Sequence, residues 1–240
     1  MVEIDNFEKL GKVLIQRELL EKQANADSFW KVELIRRKKD NASFKSSQMI
    51  ASYNVHTYEE LMDLRDIAIP VCRATGARAY LTINKKSEMQ AALDLMSKLS
   101  MLVASHGFFY NKSVYESVMS STTVAGNKRV LVDADDVSHE ELVELVKIVD
   151  SCRNQKTLKE RCKLLTESLI NEMQRSEYTG DDGDSFYDNA ICVVPTPHGW
   201  HIVSHSFDKE QFNGACIEKL GKTFDVHTNN LVLLYYSNEK

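Results

Sequence analysis

The stretch VLVDADD, residues 130 to 136, carries the clearest information about both fold and function in this chain. Three hydrophobic residues lead directly into Asp133, and a second carboxylate follows at Asp135. Successive side chains of a β-strand point to opposite faces, so these two carboxylates would lie on one face with Cα atoms about 6 to 7 Å apart. Carboxylates at that spacing can share divalent cations, which favours phosphoryl-transfer chemistry.

Two later segments repeat the combination of a polar group and a strand-like run. In PTPHGWHI, residues 195 to 202, Gly199 permits a close backbone approach or a positive φ, and His201 begins a strand. A histidine there can donate a hydrogen bond to a phosphate oxygen near neutral pH. In FDVHTNNLVLLYYS, residues 224 to 237, Asp225 closes a strand and a polar turn precedes the next one.

Around these segments, strand-like runs alternate with amphipathic helices, which predicts an α+β fold with helices covering a sheet. Short apolar runs predict strands near residues 30–39, 48–55, 78–84, 129–135, 190–196, 201–207 and 231–236. An apolar spacing over residues 5 to 24 predicts an opening helix. Four N-cap signals, each with Glu or Gln three places on, predict further helices after Thr57, Ser87, Ser138 and Asp208.

Two of these helices carry apolar stripes that we expect to lie in the core. The first stripe consists of Met89, Leu93, Met96 and Val103, and the second of Leu142, Leu145, Val146 and Val149. The acidic, turn-forming segment at 177–190 is expected to be an exposed loop. Its DDGD does not match the alternating ligands of a calcium loop, so we expect no bound calcium.

Composition excludes several classes of protein. The chain has 240 residues, of which 43% are hydrophobic, enough for a substantial core. It has no apolar run of the roughly 20 residues that cross a bilayer and no secretory signal, so we expect a cytoplasmic protein without a membrane partner. The five cysteines are scattered and are expected to be reduced packing residues. With a net charge of −5, nucleic acid could be held only by local basic patches.

Each polar motif also has a simpler interpretation. Residues 133–136 could sit at the start of the helix near Ser138, where carboxylates favour the helix dipole. The three histidines His198, His201 and His205 could bind zinc, although their spacing matches neither a finger nor a helical metalloprotease motif. The segment FDVHTNN could be an ordinary hairpin turn.

Basic residues elsewhere could hold a single strand of nucleic acid. Cationic side chains interleaved with aromatic ones can hold phosphates and stack bases, although lysines also commonly protect exposed strand edges. The residues that fit this pattern are Arg36, Arg37, Lys38, Lys39, Arg78, Tyr80, Lys85 and Lys86.

Taken in order, VLVDADD, TPHGWHI and DVHTNNLVLLYYS resemble the three motifs of the archaeo-eukaryotic primase superfamily. The resemblance implies that Asp133, Asp135 and Asp225 bind two Mg²⁺ or Mn²⁺ ions and that His201 contacts the phosphates of the incoming nucleotide. It further implies nucleotide contacts from Thr196, Gly199, Thr228 and Asn230. The resemblance covers about thirty residues of the chain.

The same resemblance implies a primase-catalytic-core-like fold. It would comprise an N-terminal α/β unit, residues 1–125, packed on a sheet similar to an RNA-recognition fold, residues 126–240, in one continuous globular fold. The implied function is a primase-polymerase-like nucleotidyltransferase acting in DNA replication on a single-stranded template with nucleoside triphosphates. A helicase or other replication protein is a possible partner. The alternatives are a non-catalytic nucleic-acid or nucleotide-binding relative and a metal-dependent nuclease.

Overall fold

Two antiparallel β-sheets with helices packed against them make up the protein, an α+β architecture. The computed structural model describes residues 2–16, 28–40, 44–105, 118, 128–152, 170–171, 186–187, 191–228 and 231–238. The α+β class predicted from the sequence is therefore confirmed, while the closer likeness to a primase core stays a prediction.

The strands, in chain order, are β1 Glu3–Asp5, β2 Ser28–Arg36, β3 Gln48–Val55, β4 Arg78–Thr82, β5 Lys86–Ser87, β6 Arg129–Asp135, β7 Phe186–Tyr187, β8 Ile191–Thr196, β9 Gly199–His205, β10 Asp225–His227 and β11 Leu231–Ser237. The first sheet has the order β1-β11-β4-β2-β3, with β5 also paired to β2. The second sheet has the order β10-β6-β9-β8-β7. The C-terminal strand β11 thus joins strands from the first half of the chain, and the division near residue 125 stays a prediction.

The helices are α1 Phe7–Leu10, α2 Tyr58–Thr75, α3 Glu88–Ala104, α4 His139–Ser151 and α5 Lys209–Leu220. A π-helical turn, Gly11–Gln16, continues α1, and a 3₁₀ turn covers Lys38–Asp40. The four predicted N-caps are confirmed. The side chains of Thr57, Ser87, Ser138 and Asp208 each accept a backbone N–H from the first turn of their helix.

The two faces of the second sheet pack against different layers. One face contributes Val132, Ala134, Val193 and Ile202 to a core with α4 and α5, in which Leu145, Val149 and Phe212 are fully buried. The other face contributes Leu131, Val194 and Val203 to the core of the first sheet, which includes Phe7, Trp30 and Leu34. The alternation of side chains along each strand produces this division.

Two buried asparagines connect the sheets. The Nδ2 of Asn6 donates to the carbonyls of Pro195 and Leu233, at 3.2 and 3.0 Å. The Oδ1 of Asn84 accepts from the Arg129 backbone N–H at 2.7 Å, and its Nδ2 donates to the carbonyl of Arg129 at 3.1 Å. These bonds satisfy backbone groups at the edge of one sheet with a side chain from the other.

Several sequence predictions need correction. The opening segment is not one helix across its described part, because β1, α1 and the π-helical turn divide residues 3–16, and residues 17–24 lie outside the described residues. Asp225 begins β10 instead of closing a strand, because Gly221 ends α5 in a left-handed conformation and the next three residues complete the connection. The predicted loop at 177–190 lies outside the described residues except for β7.

The apolar stripe of α3 is a further correction. Met89, Leu93, Met96 and Val103 are all more than half exposed, whereas the matching stripe of α4 is buried as predicted. Only Ala91 of α3 is buried, in a small cluster with Phe29. Helical periodicity identifies an apolar face without specifying a layer to cover it.

Four of the cysteines lie in the described residues, and all four are free and buried, as predicted.

None of the helices in the described residues has the length and apolar character needed to span a bilayer.

Candidate functional site

The three predicted carboxylates lie on one face of two neighbouring strands. Asp225 pairs directly with Asp133 in the antiparallel register of β10 and β6, so their side chains project to the same side. Asp135 follows two places on in β6 and shares that side. The helix α4 begins only at His139, with Ser138 as its N-cap, so these aspartates belong to strands and not to a helix N-terminus.

His201 flanks Asp133 from the opposite neighbouring strand, β9. Its Nδ1 accepts the backbone N–H of Leu233 at 3.2 Å, and its Nε2 lies 3.8 Å from the Oδ1 of Asp133. Because Nδ1 is the acceptor, the neutral ring carries its hydrogen on Nε2, on the side of the carboxylate. Leu233 lies at the point where the register between β11 and β4 shifts. Its backbone N–H, in the first sheet, therefore fixes the tautomer of His201 in the second sheet.

Burial keeps the His201 ring neutral. The ring is removed from solvent, and the positive charges of Arg37 and other nearby groups add to this effect, lowering its pKa to about 3. At neutral pH the side chain is therefore a hydrogen-bond donor through Nε2 without a net charge.

Gly199 allows the hairpin between β8 and β9 to lie close against β6. It pairs with Asp135, and a Cβ placed on it would lie 2.2 Å from the carbonyl oxygen of Ala134. Its φ is not positive, so of the two predicted roles the structure has the close backbone approach. The backbone N–H of Asp136 donates to the His198 carbonyl at 2.9 Å, and Asp136 itself has a φ of 54°.

The carboxylates of Asp133, Asp135 and Asp225 repel one another, and Asp133 is partly removed from solvent. The pKa of Asp133 is raised, first by burial and then by the charge of Asp135, with a further contribution from Asp225. His227 and Lys39 act in the opposite direction. Within the described part of the chain, none of the three aspartates has a lysine or arginine within the 4.0 Å of an ion pair. Their ionised forms therefore have no direct cationic partner among the described residues.

A cleft separates Asp133 and Asp135 from a basic wall on the first sheet, while Asp225 is not part of its lining. Its lining comprises Arg37, Lys39, Arg78, Tyr80 and Leu233 on one side, and Asp133, Asp135, Thr196, Pro197, His198 and His201 on the other. We call the first group the cation wall and the trio Asp133, Asp135 and Asp225 the carboxylate wall. The carboxylate wall also borders a second, more open hollow formed with residues 221–224.

Two arginines of the cation wall are held differently. The guanidinium of Arg78 donates to both carboxylate oxygens of Asp40, at 2.8 and 2.6 Å, and lies 4.6 Å from the ring centre of Tyr236. Arg37 donates to the hydroxyl of Tyr80 at 3.3 Å. Arg78 is therefore an internally paired structural group, and Arg37 is the one better placed to meet a ligand.

The remaining predicted residues lie away from this cleft. The Nε of Arg36 donates to the carbonyl of Thr75, Lys38 is exposed, and Lys85 and Lys86 are buried at the far end of the first sheet. Thr228 follows the opposite end of β10 from Asp225, and its carbonyl accepts from Asn84. Asn230 lies outside the described residues.

Oxygen donors of the carboxylate wall have the chemistry that Mg²⁺ and Mn²⁺ prefer. Among the residues that the structure describes, however, no three His, Cys, Asp or Glu side chains converge at metal-binding distances. The three histidines considered for zinc accordingly form no such group. Rotation of the exposed side chains would be needed to bring the aspartate oxygens together on an ion.

Sequence reasoning missed His227. It lies two places after Asp225 in β10, so it shares the face of the carboxylate wall, and its charge lowers the pKa of Asp133. If the strand had been predicted to begin at Asp225, the alternation of side chains in FDVHT would have placed His227 on the same face. A scan against protein-family models, a search of curated proteins and a search of solved structures each gave no match to this chain.

Proposed function

We propose that this protein is a primase-polymerase-like nucleotidyltransferase that joins nucleotides on a single-stranded template. The observation that carries the proposal is the meeting of Asp133, Asp135 and Asp225, from strands about ninety residues apart in the chain, beside His201. A cleft with carboxylates on one wall and cations on the other suits a reaction in which polyphosphate and divalent metal must be bound together.

The arrangement of the second sheet supports the same proposal. Apart from the edge strand β7, its elements follow the order β6, α4, β8, β9, α5, β10, with both helices on one face. This β-α-β-β-α-β order, with β6 and β9 in the centre, is expected for a sheet similar to an RNA-recognition fold. The proposed site lies on the face opposite the helices, which Leu131 shares and which meets the first sheet.

In this proposal, Asp133, Asp135 and Asp225 hold the divalent cations, which when bound would activate a 3′-hydroxyl and stabilise the leaving pyrophosphate. His201 donates from Nε2 to a phosphate oxygen, and the Leu233 N–H keeps its ring oriented. Arg37 and Lys39 neutralise phosphate charge from the opposite wall, and the hydroxyl of the buried Tyr80 positions Arg37. Positioning and charge stabilisation account for the catalysis.

The direct test is incorporation of labelled nucleotide on a primed single-stranded template in the presence of Mn²⁺. Wild-type protein should extend the primer, and Asp133→Ala should not. Product formed equally by both proteins would remove Asp133 from the reaction. Shortening of the primer in place of extension would identify a nuclease that uses the same carboxylates.

A second candidate, a non-catalytic nucleic-acid-binding relative, is favoured by one observation. The described residues include no preassembled three-ligand metal group. This candidate predicts binding to single strands that is indifferent to divalent metal, with no incorporation under any condition.

A further inference from the structure

A second group of cations lies on the face of the first sheet that carries the cation wall, at the other end of β2. Lys31 and Glu33 share this face with Tyr80, which pairs with Glu33 in the register of β2 and β4. Lys86 of β5 pairs with Phe29 of β2 and so lies diagonally beside Lys31. About 13 Å of strand separates Lys31 from the level of Arg78.

Both lysines are nine-tenths buried or more. Lys31 is 4% exposed and Lys86 is 6% exposed. The ammonium of Lys31 is paired with the carboxylate of Glu33 at 2.5 Å. Lys86 has no ion pair or hydrogen bond from its ammonium to another described residue, and its pKa is lowered by burial first and by Lys31 second. A buried ammonium without a direct counter-ion is costly, and such groups normally have one.

The glutamates described around this end of the sheet already have other partners. Glu33 is engaged with Lys31, and its attraction for Lys86 acts only at longer range. Glu88, two places after Lys86, and Glu60 are both bound to the ring of His56, at 2.7 and 3.1 Å. Among the described residues, one positive charge at this end of the sheet therefore has no direct counter-ion.

The neighbourhood offers more hydrogen-bond donors to an anion. The hydroxyl of Thr82 accepts the backbone N–H of Lys31 at 2.9 Å, so its own hydrogen is available to donate. Lys86 keeps 6% of its surface exposed, which leaves a narrow approach for an anion. Two ammonium groups and a hydroxyl on one strand face match the acceptor oxygens of a phosphate.

We propose that Lys86, together with Lys31 and Thr82, forms a phosphate-binding site separate from the carboxylate wall. The phosphate belongs either to a free polyphosphate or to the backbone of a nucleic-acid strand. This site rests on the buried charges of β2 and β5 and does not depend on the proposed metal chemistry. A bound phosphate would supply the missing counter-charge of Lys86.

The test measures binding of two probes in EDTA, so that no metal-dependent reaction contributes. Inorganic tripolyphosphate is titrated by calorimetry, and a labelled single-stranded oligonucleotide is titrated by fluorescence anisotropy. Lys86→Met keeps the packing of the long side chain and removes its charge, and Lys147→Met, on α4, serves as the control. We expect Lys86→Met to weaken binding about tenfold, because one charged hydrogen bond is lost, and Lys147→Met to have no effect.

The two probes distinguish the sources of the phosphate. Weakened binding of tripolyphosphate alone supports a free polyphosphate, and weakened binding of the oligonucleotide alone supports a strand, with a salt dependence reduced by about one charge. Unchanged binding of both probes to folded Lys86→Met would overturn the site.

Thermal unfolding gives an independent readout. Tripolyphosphate should raise the melting temperature of the wild type but not of Lys86→Met, and the variant should be at least as stable as the wild type without anion. Lys86→Gln repeats the comparison with a polar side chain. Asp133→Asn should bind both probes at least as well as the wild type, so loss of the proposed catalysis and loss of this site give different results.

Discussion

Charged groups on the two walls of the cleft are compensated differently. On the cation wall, Arg78 is held by both oxygens of Asp40 and by the ring of Tyr236. On the carboxylate wall, Asp133 pairs directly with Asp225 on the adjacent strand, and among the described residues its one basic partner within 4.0 Å is the neutral His201. The difference teaches that the first wall is partly self-sufficient structure, whereas no lysine or arginine of the described residues forms an ion pair with the aspartates of the second.

Replacing a carboxylate should have the largest effect on function. Asp133→Asn keeps the shape of the side chain and removes one charge, so we expect nucleotide incorporation to fall by about a thousandfold or more. Without metal, the variant should be slightly more stable than the wild type, because burial and two like charges raise the pKa of Asp133. That stability difference should grow as the pH rises above 3.8, since the ionised wild-type carboxylate is the unfavourable form.

Thermal unfolding with and without Mn²⁺ separates the two expectations. The wild type should be stabilised by the metal and Asp133→Asn much less so. Equal stabilisation of both proteins would show that the carboxylate wall does not bind the metal.

The cation wall offers the opposite pattern, with a large effect on stability. Arg78→Met should destabilise the protein by about 3 kcal/mol, because the partly buried carboxylate of Asp40 loses its partner. Arg37→Met should leave stability nearly unchanged and reduce affinity for a single-stranded oligonucleotide several-fold, since Arg37 lines the cleft with only one internal hydrogen bond. Urea unfolding and anisotropy titrations of both variants measure the contrast. A similar stability loss in both would mean that Arg37 is also a structural group.

Features that depend on a local pattern of residues could be predicted from the sequence. Strand alternation in VLVDADD placed Asp133 and Asp135 on one face, and the N-cap signals located four helices. The helical periodicity of apolar residues gave a wrong prediction for α3. Its stripe of Met89 and Leu93 is exposed, while the stripe of α4 is buried. Helix propensity and apolar periodicity are properties of a single element. Whether its apolar face is buried depends on which other elements pack against it.

The long-range part of the site could not be derived from spacing. The opposition of Arg37 and Asp133 depends on how two sheets pack, and the tautomer of His201 depends on one N–H of β11. Asp225 was identified through its place in a motif, but the start of its strand was misplaced, and His227 was overlooked for that reason. Contacts between distant segments are specified by the packed structure as a whole and not by any local window.

A glycine pair tests the close approach of the β8–β9 hairpin to β6, the strand that carries Asp133 and Asp135. Gly199→Ala should cost about 1 to 3 kcal/mol, because its Cβ would meet the Ala134 carbonyl at 2.2 Å and push β9 away from β6. Gly214→Ala is the matched control, since a Cβ there meets nothing within 4 Å inside α5, and it should stabilise by about 0.5 to 1 kcal/mol. Urea unfolding measures both changes. If the two variants behaved alike, the close approach of the hairpin to Asp135 would have no energetic role.

The last prediction concerns the pH dependence contributed by His201. Its folded-state pKa of about 3 lies below the ordinary 6.5, so between these values the unfolded chain binds a proton that the folded chain does not. Stability should therefore be lost as the pH falls through this window, with a slope of at most about 1.4 kcal/mol per pH unit from this group. His201→Gln can still accept the Leu233 N–H but does not titrate, so its stability should change less between pH 6.5 and pH 4. Urea unfolding at half-unit steps compares the two curves, and parallel curves would mean that burial beside Asp133 does not hold the ring neutral.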